Sequence, residues 1–107
     1  MGIEAGIQTA ILVYLSMLEN QGKCYVVRVN SFAGHLQRAN GSRGYVKNNK
    51  PGCPDILVCY KGKFIGLEVK HKTKQSDYQK QAEEQIKSAG GEYFIVHDVL
   101  EVVELIK

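Results

Sequence analysis

Little in this chain of 107 residues suggests export or a membrane. No stretch approaches the roughly 20 apolar residues that span a bilayer, and the N-terminus lacks a charged segment followed by an apolar run. Three cysteines, Cys24, Cys53 and Cys59, are an odd number without C-x-x-C spacing, which argues against a disulfide framework and against a structural zinc site. A reducing cytoplasm is therefore the expected location. There is no internal repeat, low-complexity tract or linker, and too little chain for two cores, so one domain over residues 1–107 is expected. A local shortage of acid is more telling. Between Glu19 and Asp55 there is no acidic residue, while Lys23, Arg28, Arg38, Arg43, Lys47 and Lys50 all fall there.

Apolar content of 44% and charged content of 23% are ordinary for a globular protein. The net charge of +3 is modest but uneven: residues 1–80 hold 12 Lys and Arg against 5 Asp and Glu, and residues 81–107 hold 2 against 6. An excess of +7 followed by one of −4 is the footprint of a polyanion partner, because each neutralised phosphate releases condensed counterions. It equally describes a well-solvated basic loop.

Ile3, Ile7, Ile11, Tyr14, Leu15 and Leu18 recur at three- and four-residue steps and predict a leading helix closed by Asn20-Gln21-Gly22. Glu4 borders that apolar stripe, a position where a carboxylate needs a partner. Residues 24–30 are β-branched and read as a strand. Residues 31–52 contain Gly34, Gly41 and Gly44 without apolar periodicity, and loops beyond about 12–15 residues in compact domains are usually functional or disordered. This segment, with His35, Arg38, Arg43, Lys47 and Lys50, reads as a substrate-contacting loop. Residues 55–60 and 64–70 predict strands of a hairpin turned at Lys61-Gly62-Lys63. Ser76 opens a helix with Gln79 completing a capping box, and Gly90-Gly91 ends it. A strand over residues 92–97 and a short helix capped by Asp98 complete the order α-β-β-β-α-β-α, an α/β fold with a mixed sheet flanked by helices.

Side chains alternate faces along a strand, so Phe64, Gly66, Glu68 and Lys70 share one face, while Ile65, Leu67 and Val69 form the core face. Asp55 opens the first hairpin strand and so stands beside the end of the second. Asp55 and Glu68 should converge. Two carboxylates in that position repel unless a cation lies between them. A hard divalent ion such as Mg²⁺ takes oxygen ligands, often one or two carboxylates plus a substrate phosphate. A neighbouring lysine can orient or help deprotonate an attacking water and offset charge at phosphorus. Such a constellation suits metal-assisted phosphodiester hydrolysis.

Pro54-Asp55 followed by Glu68-Val69-Lys70 resembles the motif of the PD-(D/E)xK nuclease superfamily, a restriction-endonuclease-like core. The Gly52-x-Pro54-Asp55 form, an acidic residue in the leading helix and a glutamine early in the helix after the motif make the chain similar to the VRR-NUC family, in particular its minimal stand-alone members from phages and bacteria. The resemblance covers nearly the whole chain. It implies that Asp55, Glu68 and the backbone carbonyl of Val69 ligate Mg²⁺ or Mn²⁺, that Lys70 is the catalytic lysine, that Glu4 completes the acidic cluster, and that Gln79 helps position water, lysine or phosphate. It also implies a DNA endonuclease resembling Holliday-junction resolvases, in which a small homodimer would place two sites across a four-way junction, in the cytoplasm of a bacterial host if phage-encoded. Arg38, Arg43, Lys47, Lys50, His71, Lys72 and Lys74 are the expected DNA contacts.

Plainer readings exist for each residue. Asp55 and Glu68 suit a strand-end turn and an exposed cross-strand partner, Lys70 an edge strand, Gln79 a capping box alone, and Glu4 a helix N-terminus. Cys53 reads as a packed free thiol, and Tyr45 as a ring for stacking a base or for covering the core. A restriction-type or flap nuclease on the same core, and a DNA-binding module with a vestigial site, are the competing functions.

Overall fold

The computed structural model describes residues 2–29, 33–37, 43–47 and 50–107, with 33–37 and 43–47 described as backbone. The helix expected first is α1 (Ile3–Asn20), capped at Gln21 with Gly22 at φ +76°. Strand β1 (Cys24–Arg28) follows. Within the segment read as loop, the backbone forms two strands, β2 (Ala33–Gln37) and β3 (Arg43–Lys47), paired antiparallel as a separate ribbon. This corrects the long-loop reading of residues 31–52. Pairing of that kind draws on backbone N–H and C=O groups that every residue carries, so it leaves little trace in a sequence without alternating apolar positions.

Next come β4 (Ile56–Tyr60) and β5 (Lys63–Val69), then α2 (Asp77–Ser88), β6 (Glu92–Val96) and α3 (Val99–Leu105). With β2 and β3 set aside, the order is the one expected. Lys61 at φ +52° and Gly62 at φ +78° make a two-residue turn with both residues left-handed, the twist-matched hairpin connection. That turn fixes the β4–β5 register, in which Ile56 faces Leu67 and Tyr60 faces Lys63. The main sheet runs β1-β4-β5-β6, antiparallel except for the β5–β6 pair.

One face of this sheet carries the core. Ile11, Leu15 and Leu18 of α1 pack with Ile56 and Val58 of β4, Ile65, Leu67 and Val69 of β5, Val96 of β6, and Val102 and Ile106 at the other end of the chain. The Tyr14 hydroxyl donates to the Ile106 carbonyl at 2.6 Å and ties α1 to the end of α3. On the opposite face α2 lies against β6. Among the described residues no helix is long and apolar enough to cross a membrane.

Two glycines let backbone segments approach where a side chain would not fit. Gly52 (φ +77°) lies against the first turn of α2, where a Cβ would fall 2.1 Å from the Tyr78 carbonyl oxygen and 2.8 Å from the Gln79 nitrogen. Gly66 lies under Pro54, where a Cβ would meet the proline ring at 2.6 Å. The loop before β4 is thereby pressed onto both β5 and α2. Gly62→Ala, in an open turn, should cost about 1–2 kcal/mol of left-handed strain. Gly52→Ala adds a backbone clash to the same strain and should cost clearly more, as read by chemical unfolding of the two variants side by side.

Candidate active site

Extending the register one step beyond Ile56 and Leu67 sets Asp55 opposite Glu68. Opposed residues share a face, and here it is the face under α2, away from the core. The Val69 N–H donates to Asp55 Oδ2 at 2.9 Å, and the Asp55 carbonyl accepts from Val29 N–H at 2.9 Å. Asp55 is therefore gripped from both neighbouring strands. Glu68 is 3% exposed and is the one buried charged residue among those described.

The register sets the two carboxyls on one face at one end of the hairpin. Burial is the first cause that pushes Glu68 up to about 8; the neighbouring Asp55 carboxyl adds to it, Lys70 opposes it, and Glu4 contributes least. Glu68 Oε2 accepts from Gln79 Nε2 at 3.0 Å and stands 3.9 Å from Lys70 Nζ. Glu68 Oε1 is buried without a hydrogen-bond partner among the described residues. A buried carboxylate oxygen in that condition is costly. A cation beside Asp55 would satisfy it.

Gln79 makes two contacts at once, in the capping box and to Glu68. Its Oε1 accepts from the Ser76 N–H at 2.8 Å while the Ser76 hydroxyl accepts from the Gln79 N–H, a complete capping box. Because the amide oxygen is held by that backbone donor, the amide nitrogen is turned towards Glu68. Gly52 against the Tyr78 carbonyl seats the same helix turn.

Glu4 is half-buried, and its Oε2 accepts from the His71 N–H at 3.2 Å and the Thr73 hydroxyl at 3.1 Å. The partner required by its place beside the apolar stripe is thus the segment after β5. Among the described residues no three His, Cys, Asp or Glu side chains gather closely enough to hold a metal ion by themselves, so the cluster is a pair, Asp55 and Glu68, with Glu4 tied nearby. His71, Lys72 and Lys74 are exposed between Lys70 and α2, and Lys50 is exposed just before Gly52. Arg43 and Lys47 lie on β3. Arg38 lies outside the described residues.

Sequence reasoning missed a second group on this face. Tyr93 stands in register with Gly66 and is 4% exposed; its hydroxyl accepts from Gln75 Nε2 at 3.2 Å, and Gln75 Nε2 also donates to Glu83 Oε1 at 3.0 Å. Burial foremost pushes Tyr93 up to about 12, with Glu68, Glu83 and Asp55 adding to it against the Gln75 hydrogen bond. The alternation of Tyr93 with Ile95 was the available signal. Burial, with the charges of Glu68 and Asp55 in support, also pushes the Cys53 thiol up, consistent with a packed free cysteine rather than a nucleophile.

Comparison with known proteins adds one finding. No protein-family model matches the chain, and no curated protein matches it. A solved structure described as "VRR_NUC domain" superposes with a TM-score of 0.64 at 21% identity, covering 95% of this chain and 91% of that one. The chain has the fold of that domain.

Two outcomes follow from the geometry. Glu68 keeps its proton in the folded state up to about 8, whereas the unfolded chain releases it near 4.5. The associated stability is full below the lower value and is lost as pH rises to the upper one, on the order of 1 kcal/mol per pH unit. Thermal unfolding of EDTA-treated protein should show this decline, and Glu68→Gln should remove it. Gln79→Glu retains a capping-box residue but sets a third carboxylate against Glu68; helix content by circular dichroism should persist while the decline in stability with pH steepens.

Proposed function

We propose that this chain, which has the fold of a VRR_NUC domain, is a divalent-metal-dependent DNA endonuclease. One observation carries the reading: Asp55 and the buried Glu68 face each other with Glu68 Oε1 unpartnered among the described residues, while Lys70 and Gln79 flank the other oxygen. This donor set is all oxygen and suits a hard cation. Asp55, Glu68 and the Val69 backbone carbonyl would hold Mg²⁺ or Mn²⁺, with Glu4, tied to His71 and Thr73, standing nearby. The ion, when bound, stabilises charge on the phosphate and makes water nucleophilic near neutral pH.

The chain's own residues do the rest. Lys70, 13% exposed by its side chain, sits in a partly dehydrated position from which its ammonium can hold a phosphate oxygen or the attacking water. Gln79 keeps Glu68 Oε2 oriented, and its own orientation is set by Ser76. Asp55 is held on the Val69 N–H, so its carboxylate does not swing as substrate enters. His71, Lys72, Lys74 and Lys50, which are exposed, together with Arg38, Arg43 and Lys47, would supply the phosphate contacts.

The preferred substrate is branched DNA, in particular a four-way junction, cut by a homodimer in the bacterial cytoplasm. A domain of 107 residues spans little DNA alone. A two-fold pair would present two equivalent sites to a two-fold substrate. Purified protein should nick a four-way junction symmetrically with Mg²⁺ and stop with EDTA. Glu68→Gln and Lys70→Ala should each lower the rate by about 100-fold or more. Equal cleavage of linear duplex and junction would remove the junction claim. Unchanged activity in both variants would remove the nuclease claim itself.

A further inference from the structure

Under α2, on the sheet face that carries Glu68, lies a cleft that the chemistry above does not use. It measures about 350 Å³ and lies between the loop before β4, the sheet and α2. Pro54, Leu57 and Phe64 line it from the loop and sheet, and Ala82 and Ile86 from the helix. Phe64 is 48% exposed, a large ring left open to this space. Among the described lining residues Lys50 is the charged one and Gln85 adds an amide; no carboxylate lines it.

We propose that this cleft receives one unstacked nucleobase of the substrate, from the nucleotide next to the scissile phosphate. Its size is that of a small-ligand site with apolar walls and few polar groups. Pro54 is a wall of the cleft, precedes Asp55 in the chain and lies over Gly66, two residues along β5 from Glu68, so the cleft begins within about one nucleotide's length of the carboxylates. The aromatic face of Phe64 and the aliphatic walls suit a flat heterocycle. Gln85 can meet the edge of the base, and Lys50 the phosphate. Lys50 without a carboxylate in the lining is complementary to a polyanionic strand. Lys50, Pro51, Ala82 and Gln85 also line a smaller hollow that reaches Tyr78, a residue 64% exposed. Tyr78 supplies a second ring at the rim for the following base.

The proposal rests on the nuclease reading and narrows it. Taking a base out of a continuous stack costs least where it is already unpaired or poorly paired. Cleavage would therefore fall next to such a base, at a junction, a splayed arm or a flap. No sequence preference is implied, since every base offers a flat face.

The test uses oligonucleotides carrying 2-aminopurine at successive positions around the nick, bound to the protein with Ca²⁺ in place of Mg²⁺. A severalfold rise in fluorescence at one position beside the nick is expected. Ala82→Phe, which fills the cleft, should abolish the rise, and Tyr78→Ala, an exposed change that leaves the fold intact, should weaken binding by about tenfold, the loss of one base stack. No responsive position, or a rise that survives Ala82→Phe in a protein with unchanged circular dichroism, overturns the proposal. A silent probe together with a changed solution mass for Ala82→Phe would instead identify a second copy of the chain as the occupant, and also overturns it. Hydrolysis of bis(p-nitrophenyl) phosphate by the wild type reads the carboxylate site alone. Its absence would count against the nuclease, while the fluorescence still decides the cleft.

Discussion

The register of the β4–β5 hairpin is the constraint on which the site depends. Lys61 and Gly62 close a turn with both residues left-handed, and that geometry leaves one pairing in which Asp55 stands opposite Glu68. A slip of one residue would turn Ile65, Leu67 and Val69 out of the core and Glu68 into it. The same apolar packing that stabilises the hairpin therefore holds two carboxylates together against their repulsion. Burial of Ile56, Val58 and Leu67, each at most 1% exposed, is ample to enforce it.

Around that pair the fold places groups that each meet two demands. Gln79 closes the capping box of α2 and donates to Glu68. Pro54 covers Gly66 and forms the wall of the adjoining cleft. Glu4 sits in the first turn of α1 and accepts from the segment that follows Lys70. The result is a site stiffened by contacts from α1, the loop before β4, β5 and α2. Glu68 Oε1 is the exception, buried and unpartnered among the described residues. A buried polar group in that condition calls for a partner such as a water or an ion.

Much of this was legible in the residues. The helix over Ile3–Asn20, the hairpin and its turn, the Ser76–Gln79 capping box and the Asp98 cap all stand where local pattern put them. So does the shared face of Glu68 and Lys70. The β2–β3 ribbon was not legible, since its strands lack alternation and its pairing is a backbone property. Tyr93 and Gln75 were missed because their significance lies in a contact across 18 residues.

By itself the sequence determined which residue types could meet: period-two alternation and turn chemistry are local, and they set Asp55, Glu68 and Lys70 at one end of one hairpin. Only the tertiary structure decided the state of those groups. How far Glu68 is buried, which oxygen remains without a donor, and where the Gln79 amide points all depend on α2 docking against the loop before β4. That docking is a long-range packing event, and desolvation, the largest influence on Glu68, follows from it rather than from any spacing along the chain.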